Sequence, residues 1–297
     1  MMVTFCAAVL AASVAGQHEA GLLPAGPSAS LFYWLTPARS GNATAPLLVW
    51  LNGGPGASSM MGLFMELGPY TVSPDGLSLG PPREYSWNAD HHVLFVDQPA
   101  GTGFSVATAA SGYANTQAEV GETFLRFMQA FYSKYPSMRR CDLFLTGESY
   151  AGKYLPSIAN AILQGSDGAV RSYLKGVVIG NGLTVPREMT ISVPISYHSV
   201  GLLDRAQQET ASDLAAACVA LIDAKNWSGA THARSVLFDF IGTASGPMSA
   251  PNVDNFQVYG EYNNSALTKF LNLPETKAML NLPLSASWSE HSDTVHR

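Results

Sequence analysis

Residues 143–152 read Leu143-Phe144-Leu145-Thr146-Gly147-Glu148-Ser149-Tyr150-Ala151-Gly152: an apolar run, a serine between small residues, and then a helical stretch from Lys153 to Leu163. A strand that turns sharply into a helix around a serine holds the hydroxyl proud of the sheet. Small neighbours let strand and helix approach, and the helix N-terminus favours developing negative charge. This is the nucleophile-elbow pattern with one departure, Ala151 standing where a second glycine is usual. A contact that needs only a small side chain tolerates the change. Taken alone, Gly147-Glu148-Ser149 also fits a plain turn with a helix-capping serine.

Outward from this stretch, apolar runs rich in β-branched and aromatic residues recur at Leu31 to Leu35, Leu47 to Leu51, Val93 to Val96 and Val177 to Ile179. Bounded by Gly, Pro or Asn, they and Leu143 to Leu145 predict strands. Val120, Phe124, Phe127, Met128 and Phe131 recur at helical spacing, which predicts a core-facing stripe. Strands alternating with helices predict an α/β sheet covered by helix layers, with ligands at the carboxyl ends of the strands. After Asn181-Gly182 the texture changes. Asp204 is placed to cap a helix whose apolar stripe holds Leu214, Cys218, Leu221 and Ile222, and Ala/Ser/Gly/Pro-rich sequence follows. The expected organisation is a core over 16–182, a mostly helical cap insertion over 183–284, and the start of a return to the core over 285–297.

Leu48 to Ser59 (LVWLNGGPGASS) is a strand followed by a glycine-rich loop. Such a loop exposes backbone N–H groups, and acyl transfer needs donors aimed at the tetrahedral oxyanion. The Gly54 and Tyr150 amides are the candidates. A phosphate cradle is disfavoured, because the loop lacks the P-loop lysine and Pro55 removes a donor.

Composition narrows the function classes. The 297 residues are 47% hydrophobic and 13% charged, with 16 Lys plus Arg against 22 Asp plus Glu and a net charge of −6. That is a globular composition without the basic footprint expected for nucleic acid or for an anionic membrane surface. Interior apolar runs are too short to span a bilayer, so a soluble mature protein is expected. No CxxC, HExxH or clustered His/Cys pattern occurs, and neither a metal nor another cofactor is expected. His91-His92, directly before VLFV, reads as a solvated strand entry rather than a ligand pair.

Val3 to Ala15 is apolar, ends in Ser13-Val14-Ala15 and is followed by polar Gln17-His18-Glu19. Residues 1–15 therefore read as a secretory signal peptide, although no Lys or Arg precedes the apolar run. Sequons at Asn42, Asn226 and Asn263 are glycosylation candidates that suit the same route. With Cys6 removed in the signal, Cys141 and Cys218 remain, either as one disulfide or each having lost its partner, since spacing alone does not decide connectivity.

Three segments in order, WLNGGPGASSMMGLFMELGPY (50–70), VLFVDQPAGTGFSV (93–106) and LTGESYAGKYLPSIA (145–159), resemble the serine carboxypeptidases, above all their vitellogenic carboxypeptidase-like branch. Weaker similarity continues through LKGVVIGNGLTVP (174–186), SVGLLDRAQQE (199–209), FLNLPETKAML (270–280) and the final SDTVHR. The resemblance implies an α/β-hydrolase fold and removal of single residues from peptide C-termini. By position, Ser149 is then the nucleophile, and the Gly54 and Tyr150 amides form the oxyanion hole. Asn52, the Gly53 amide, Glu66 and Glu148 resemble the group that binds the substrate's terminal carboxylate. Two close carboxyls do not both ionise cheaply, so one keeps its proton and can donate to a carboxylate, which predicts an acidic optimum.

The family's later strand with its triad Asp, and the glycine-flanked His beyond it, have no counterpart. The C-terminal part of the sheet is accordingly expected to be missing. His198, His232, His291 and His296, with Asp239, Asp254 and Asp293 among the acids near them, do not sit in such contexts. His291 and His296 read as solvated tail residues. A serine without a base is a poor nucleophile, so the expectation is a serine carboxypeptidase inactive as this truncated chain. The alternatives are a noncatalytic protein that binds C-terminal carboxylates, and an acyltransferase or esterase of the same fold. Peptide or protein C-termini are the expected partners, in the secretory pathway and ending in the lysosome or vacuole or outside the cell.

Overall fold

Leu47–Leu51, five apolar residues ahead of the glycine-rich loop, form the central strand β3 of a mixed sheet in a computed structural model that describes residues 19–165, 168–245 and 262–296. The segment read as a signal, 1–15, and Asp254 lie outside the described residues. β3 pairs in parallel with β4 (His92–Val96) on one side and β6 (Leu143–Glu148) on the other, with Val49 opposite both Leu94 and Leu145. Strands buried on both faces need continuous apolar runs rather than alternation, and LLVWL and HVLFV supply them. Beyond β4 lie the antiparallel β2 (Ala29–Thr36) and β1 (Glu19–Gly26). The two-residue β5 (Val106–Ala107) pairs with β2, and β7 (Leu174–Gly180) follows β6 in parallel. The order β1-β2-β4-β3-β6-β7 ends on β7, whose Val177 and Val178 are exposed. This is the α/β-hydrolase arrangement predicted from the motifs.

Helices cover the sheet. α1 (Gln117–Lys134) starts at Thr116, whose side chain accepts from Glu119 N while Glu119 reaches back to the cap, a reciprocal capping box. It buries Val120, Phe124, Phe127, Met128 and Phe131, the predicted stripe, in one cluster with Val49, Leu94 and Leu145 of the sheet. At ~1.5–3 kcal/mol per fully buried large apolar side chain, this face rather than helix propensity fixes the element. α2 (Ala151–Gln164) follows the elbow, and α3 (Gly168–Tyr173) leads into β7.

The described residues divide into two compact units, at Gly182/Leu183 and at Asn263/Asn264. The second comprises α4 (Pro186–Ser199), α5 (Arg205–Asp223) and α6 (Trp227–Ala244) around Leu203, Ala211, Ala215, Leu237 and Ile241. Asp204 caps α5 as expected: it accepts from Gln207 N at 2.8 Å, and Gln207 returns the bond to Asp204 N. The buried stripe differs from the prediction. It holds Ala211, Ala215, Cys218 and Val219, with Leu214, Leu221 and Ile222 at its margin, because small residues let helices approach where larger ones are turned aside.

The insertion predicted over 183–284 ends earlier. α7 (Ser265–Asn272) and α8 (Pro274–Met279) belong to the first unit, where Leu267, Phe270, Leu271, Leu280 and Leu282 join a second core cluster with Trp34, Phe64 and Phe95. The return to the core thus begins at Asn264 rather than at residue 285. His92 is a second correction. It is a buried residue of β4, and its Nδ1 accepts from Ala38 N at 3.2 Å, so it knits the strand to the chain entering the loop instead of meeting solvent. Cys141 and Cys218 are each a free, buried thiol within its own unit, with Cys141 Sγ donating to Ala43 O at 3.6 Å and Cys218 Sγ to Ala230 O at 3.3 Å.

Candidate active site

β6 carries the chain to its carboxyl end at Glu148, where the ladder to β7 extends one step further through Ser149 N donating to Gly180 O at 3.1 Å. Ser149 is exposed and sits at φ 57°, the left-handed region that costs a non-glycine residue about 1–2 kcal/mol. Gly152 N donates to Ser149 O, and α2 starts at once, so strand, strained serine and helix follow within four residues. This is the elbow read from the sequence. Its tolerance of Ala151 has a geometric cause: a Cβ built at Gly147 would lie 2.3 Å from Leu51 O and 3.0 Å from the Ala151 Cβ. Leu51 O thus keeps position 147 to glycine, and the absence of a Cβ there leaves room for the Ala151 methyl group.

The loop after β3 is laid against this elbow. A Cβ at Gly53 would stand 2.3 Å from Tyr150 N and 2.9 Å from both Glu148 O and the Ser149 Cβ, so backbone meets backbone at that point. Gly54 has φ 99°. Ala57 N closes the turn onto Gly53 O at 3.1 Å, and Gly56 N is committed to Tyr154 Oη at 3.3 Å. Tyr150 leans its ring on Tyr154 at 5.2 Å between centroids, and burial raises the pKa of both phenols.

Asn52, at the mouth of β3, is 3% exposed and makes every hydrogen bond its amide allows. Oδ1 accepts from Trp50 Nε1 at 2.8 Å and from Gly62 N at 3.2 Å, two groups that can only donate, which settles the amide's orientation. Nδ2 then donates to Glu66 Oε1 at 3.1 Å and to Glu148 Oε1 at 3.0 Å. One carboxamide therefore ties together two acids 82 positions apart in sequence (148 minus 66), beside the elbow. Glu66 reaches it from a single π-turn, Gly62–Glu66, whose Leu63 and Phe64 are buried while Met65 and Glu66 face outward.

Asp97 closes the base of the loop. It is fully buried; Oδ1 accepts from Ser58 Oγ at 2.6 Å and Ser59 N at 2.9 Å, and Oδ2 accepts from Phe104 N at 2.9 Å. Burial pushes its carboxyl up to about 6 against the lowering effect of those bonds. Trp288 Nε1 donates to the same Ser58 Oγ at 2.9 Å, Ser58 N donates to Glu290 O and Ser292 N to Gly56 O, so residues 288–292 strap the loop from outside. Sequence reading missed Asp97 and this strap. The signal for Asp97 was an acid at the carboxyl end of an apolar strand, where an α/β sheet places polar function.

The predicted site residues Ser149, Tyr150, Asn52, Gly53, Gly54, Glu66 and Glu148 therefore converge at the carboxyl ends of β3 and β6. The histidines do not join them as a group. His198 and His232 belong to the second unit, where His198 Nδ1 contacts Leu203 O at 2.9 Å, and the exposed His291 lies 3.5 Å from Glu290. Among the described residues, the hydrogen bonds of Ser149 are those of its backbone.

Comparison with known proteins gives consistent results. The serine carboxypeptidase (peptidase S10) family model matches residues 10–297. The chain is 34% identical over 265 residues to serine carboxypeptidase S10 family member 1 of Dictyostelium discoideum, covering 88% of this chain and 63% of that one. It is 33% identical over 258 residues to vitellogenic carboxypeptidase of Aedes aegypti, covering 84% and 54%. It thus spans between about half and two thirds of the length of these relatives. Among solved structures, KEX1(delta)p, a prohormone-processing carboxypeptidase from Saccharomyces cerevisiae, superposes with a TM-score of 0.80 at 27% identity, over 94% of this chain and 67% of that one.

Proposed function

Because the chain belongs to the serine carboxypeptidase family, we propose that it supplies the nucleophile and the terminal-carboxylate site of an enzyme that releases residues from peptide C-termini. The observation that carries this reading is the grip of Asn52 Nδ2 on both Glu66 and Glu148 next to the Ser149 elbow. Two carboxyls held by one amide repel when both are ionised, so the pair retains a proton at acidic pH. The retained O–H, with the Gly53 amide, donates to the substrate's carboxylate and places the last peptide bond over Ser149.

Ser149 Oγ then attacks the scissile carbonyl, forming an acyl-enzyme and releasing the terminal residue as the amine. The oxyanion is received by the Gly54 and Tyr150 amides, and water completes the cycle. Gly54 suits this role because Gly56 N, its neighbour in the loop, is already committed to Tyr154. The proton of Ser149 requires a general base in the whole protein; carboxylate recognition needs only this chain's own residues. Passage through the secretory pathway fits Asn42, exposed in a turn where Thr44 N and Oγ1 both bond its side chain, and Asn226, exposed at the start of α6.

Calorimetry with N-acetyl-Phe-Leu and its C-terminal amide tests the reading. The acid should bind more tightly than the amide at pH 5, and the preference should fade as the pH rises and the shared proton is lost. Equal affinity for acid and amide at pH 5 would sink the assignment of Asn52, Glu66 and Glu148. Peptide hydrolysis compared with ester hydrolysis and acyl transfer, on the whole protein, separates a peptidase from an acyltransferase or esterase.

A further inference from the structure

Between Arg39 and Arg126 the chain contains a single Lys or Arg, Arg83. It is half-buried, and its guanidinium is wrapped by the segment that delivers Glu66. Nη1 donates to Gly68 O at 2.9 Å and to Leu63 O and Tyr70 O at 3.3 Å, and Nη2 donates to Phe64 O. Its own backbone N–H bonds Pro69 O at 2.9 Å. Helix-type turns leave their last carbonyls without intrahelical partners. The π-turn Gly62–Glu66 is too short to satisfy its own, and those of Leu63 and Phe64 are taken up by Arg83. Burial holds the guanidinium below its ordinary range, and the charge of Glu66 is the influence that opposes this, so the two groups are electrostatic neighbours.

Besides the bond from Gly62 N to Asn52 Oδ1 at its start, the turn has two anchors of different kinds. On the apolar side Phe64 packs against Trp34, Tyr70 and Phe270, with centroids 5.5, 6.3 and 5.8 Å away. That contact fixes Leu63 and Phe64 but leaves Met65 and Glu66 on the exposed side. On the polar side the guanidinium ties the turn's carbonyls to those of Gly68 and Tyr70. The planar fork of arginine can bridge carbonyls that converge from several directions. The ammonium of lysine is a point donor on a flexible stem.

We infer that Arg83 is a positioning residue for the carboxylate site: it fixes the π-turn that presents Glu66 to Asn52, and through Glu66 it sets the preference for a free C-terminal carboxylate. The inference rests on the carboxylate-binding reading of Asn52, Glu66 and Glu148. Arg83 itself touches no substrate.

The test measures affinities of the 297-residue protein for N-acetyl-Phe-Leu and its amide at pH 5, in wild type, Arg83→Gln, Arg83→Lys, Glu66→Ala and the Glu66→Ala/Arg83→Lys double variant. A charge-assisted hydrogen bond corresponds to about a tenfold preference for the acid in wild type. Arg83→Gln should bring that ratio close to one while affinity for the amide and the circular dichroism spectrum stay unchanged. Arg83→Lys should weaken acid binding in the wild-type background and have no further effect once Glu66→Ala has removed the carboxyl, since coupled residues give non-additive cycles. If Arg83→Gln does not fold, the cycle with Arg83→Lys decides. Full preference in Arg83→Gln, or additive effects in the cycle, would overturn the inference while leaving the carboxylate site standing. No preference in wild type would overturn both.

Discussion

Replacing Asp97 by Asn should remove a pH-dependent contribution to stability that points toward acid. Burial lifts the Asp97 pKa from 3.8 to about 6, against hydrogen bonds from Ser58, Phe104 and Ser59 that lower it. A carboxyl whose folded pKa lies above its unfolded value binds a proton more readily in the folded state. Its contribution is therefore fully present below the unfolded pKa and is lost as the pH rises through the folded one. A rise of about two units at roughly 1.4 kcal/mol each amounts to about 3 kcal/mol, and most of it, about 2–3 kcal/mol, should be regained between roughly pH 7 and pH 4. Asparagine does not titrate. Its Oδ1 can serve Ser58 and Ser59, but its Nδ2 would face the donating Phe104 N–H, a pH-independent loss of about 1–3 kcal/mol. Urea unfolding of both proteins from pH 7 to 4, followed by tryptophan fluorescence, isolates the effect, because other carboxyls contribute equally to both and cancel. The wild type's advantage should widen on acidification by the stated amount. A difference that stays flat across the range would show that Asp97 titrates alike folded and unfolded, and the argument from burial would fall.

Gly53→Ala should be disproportionately harmful for one methyl group. The new Cβ would meet the backbone at Tyr150 N and Glu148 O, which cannot swing aside, so about 1–3 kcal/mol of stability should go and acid-peptide binding with it; unchanged binding by calorimetry would contradict the close approach. Phe124→Ala, at a fully buried position in the α1 face, should lower the unfolding free energy by about 3–5 kcal/mol in a urea titration. Reductant should leave the thermal midpoint unmoved, and peptide mapping should find Cys141 and Cys218 alkylated only after unfolding; a shift on reduction would revive the disulfide.

Much of the first unit was legible in the sequence because its strands are buried on both faces and spell unbroken apolar runs. Leu47–Leu51 matches the predicted run residue for residue. β1 (Glu19–Gly26) escaped because EAGLLPAG carries two glycines and a proline, residues that an edge strand accommodates at a bulge and that a pattern search treats as breakers. The elbow and the glycine loop were legible because both are local motifs at the carboxyl ends of apolar strands. Asp97 and Arg83 were not, since an acid and a cation acquire their roles only from what tertiary packing brings to them. The end of the helical insertion was misplaced for a related reason. α7 and α8 look in sequence like those of the second unit, and only the burial of Phe270 and Leu271 beside Trp34 and Phe64 assigns them to the first.

The bond from Trp288 to Ser58 joins residues 230 positions apart. During synthesis at about 5–20 residues per second, Trp288 leaves the ribosome roughly ten to fifty seconds after Ser58. Over that interval β3, β4 and β6 can pair and the elbow can form, while the glycine loop still lacks the residues that strap it. Long-range contacts of this kind are the slow ones in folding. The glycine loop is thus among the last parts of the core to set, and on the proposed reading a nascent chain would stay blind to C-termini around it until its own late segment has docked.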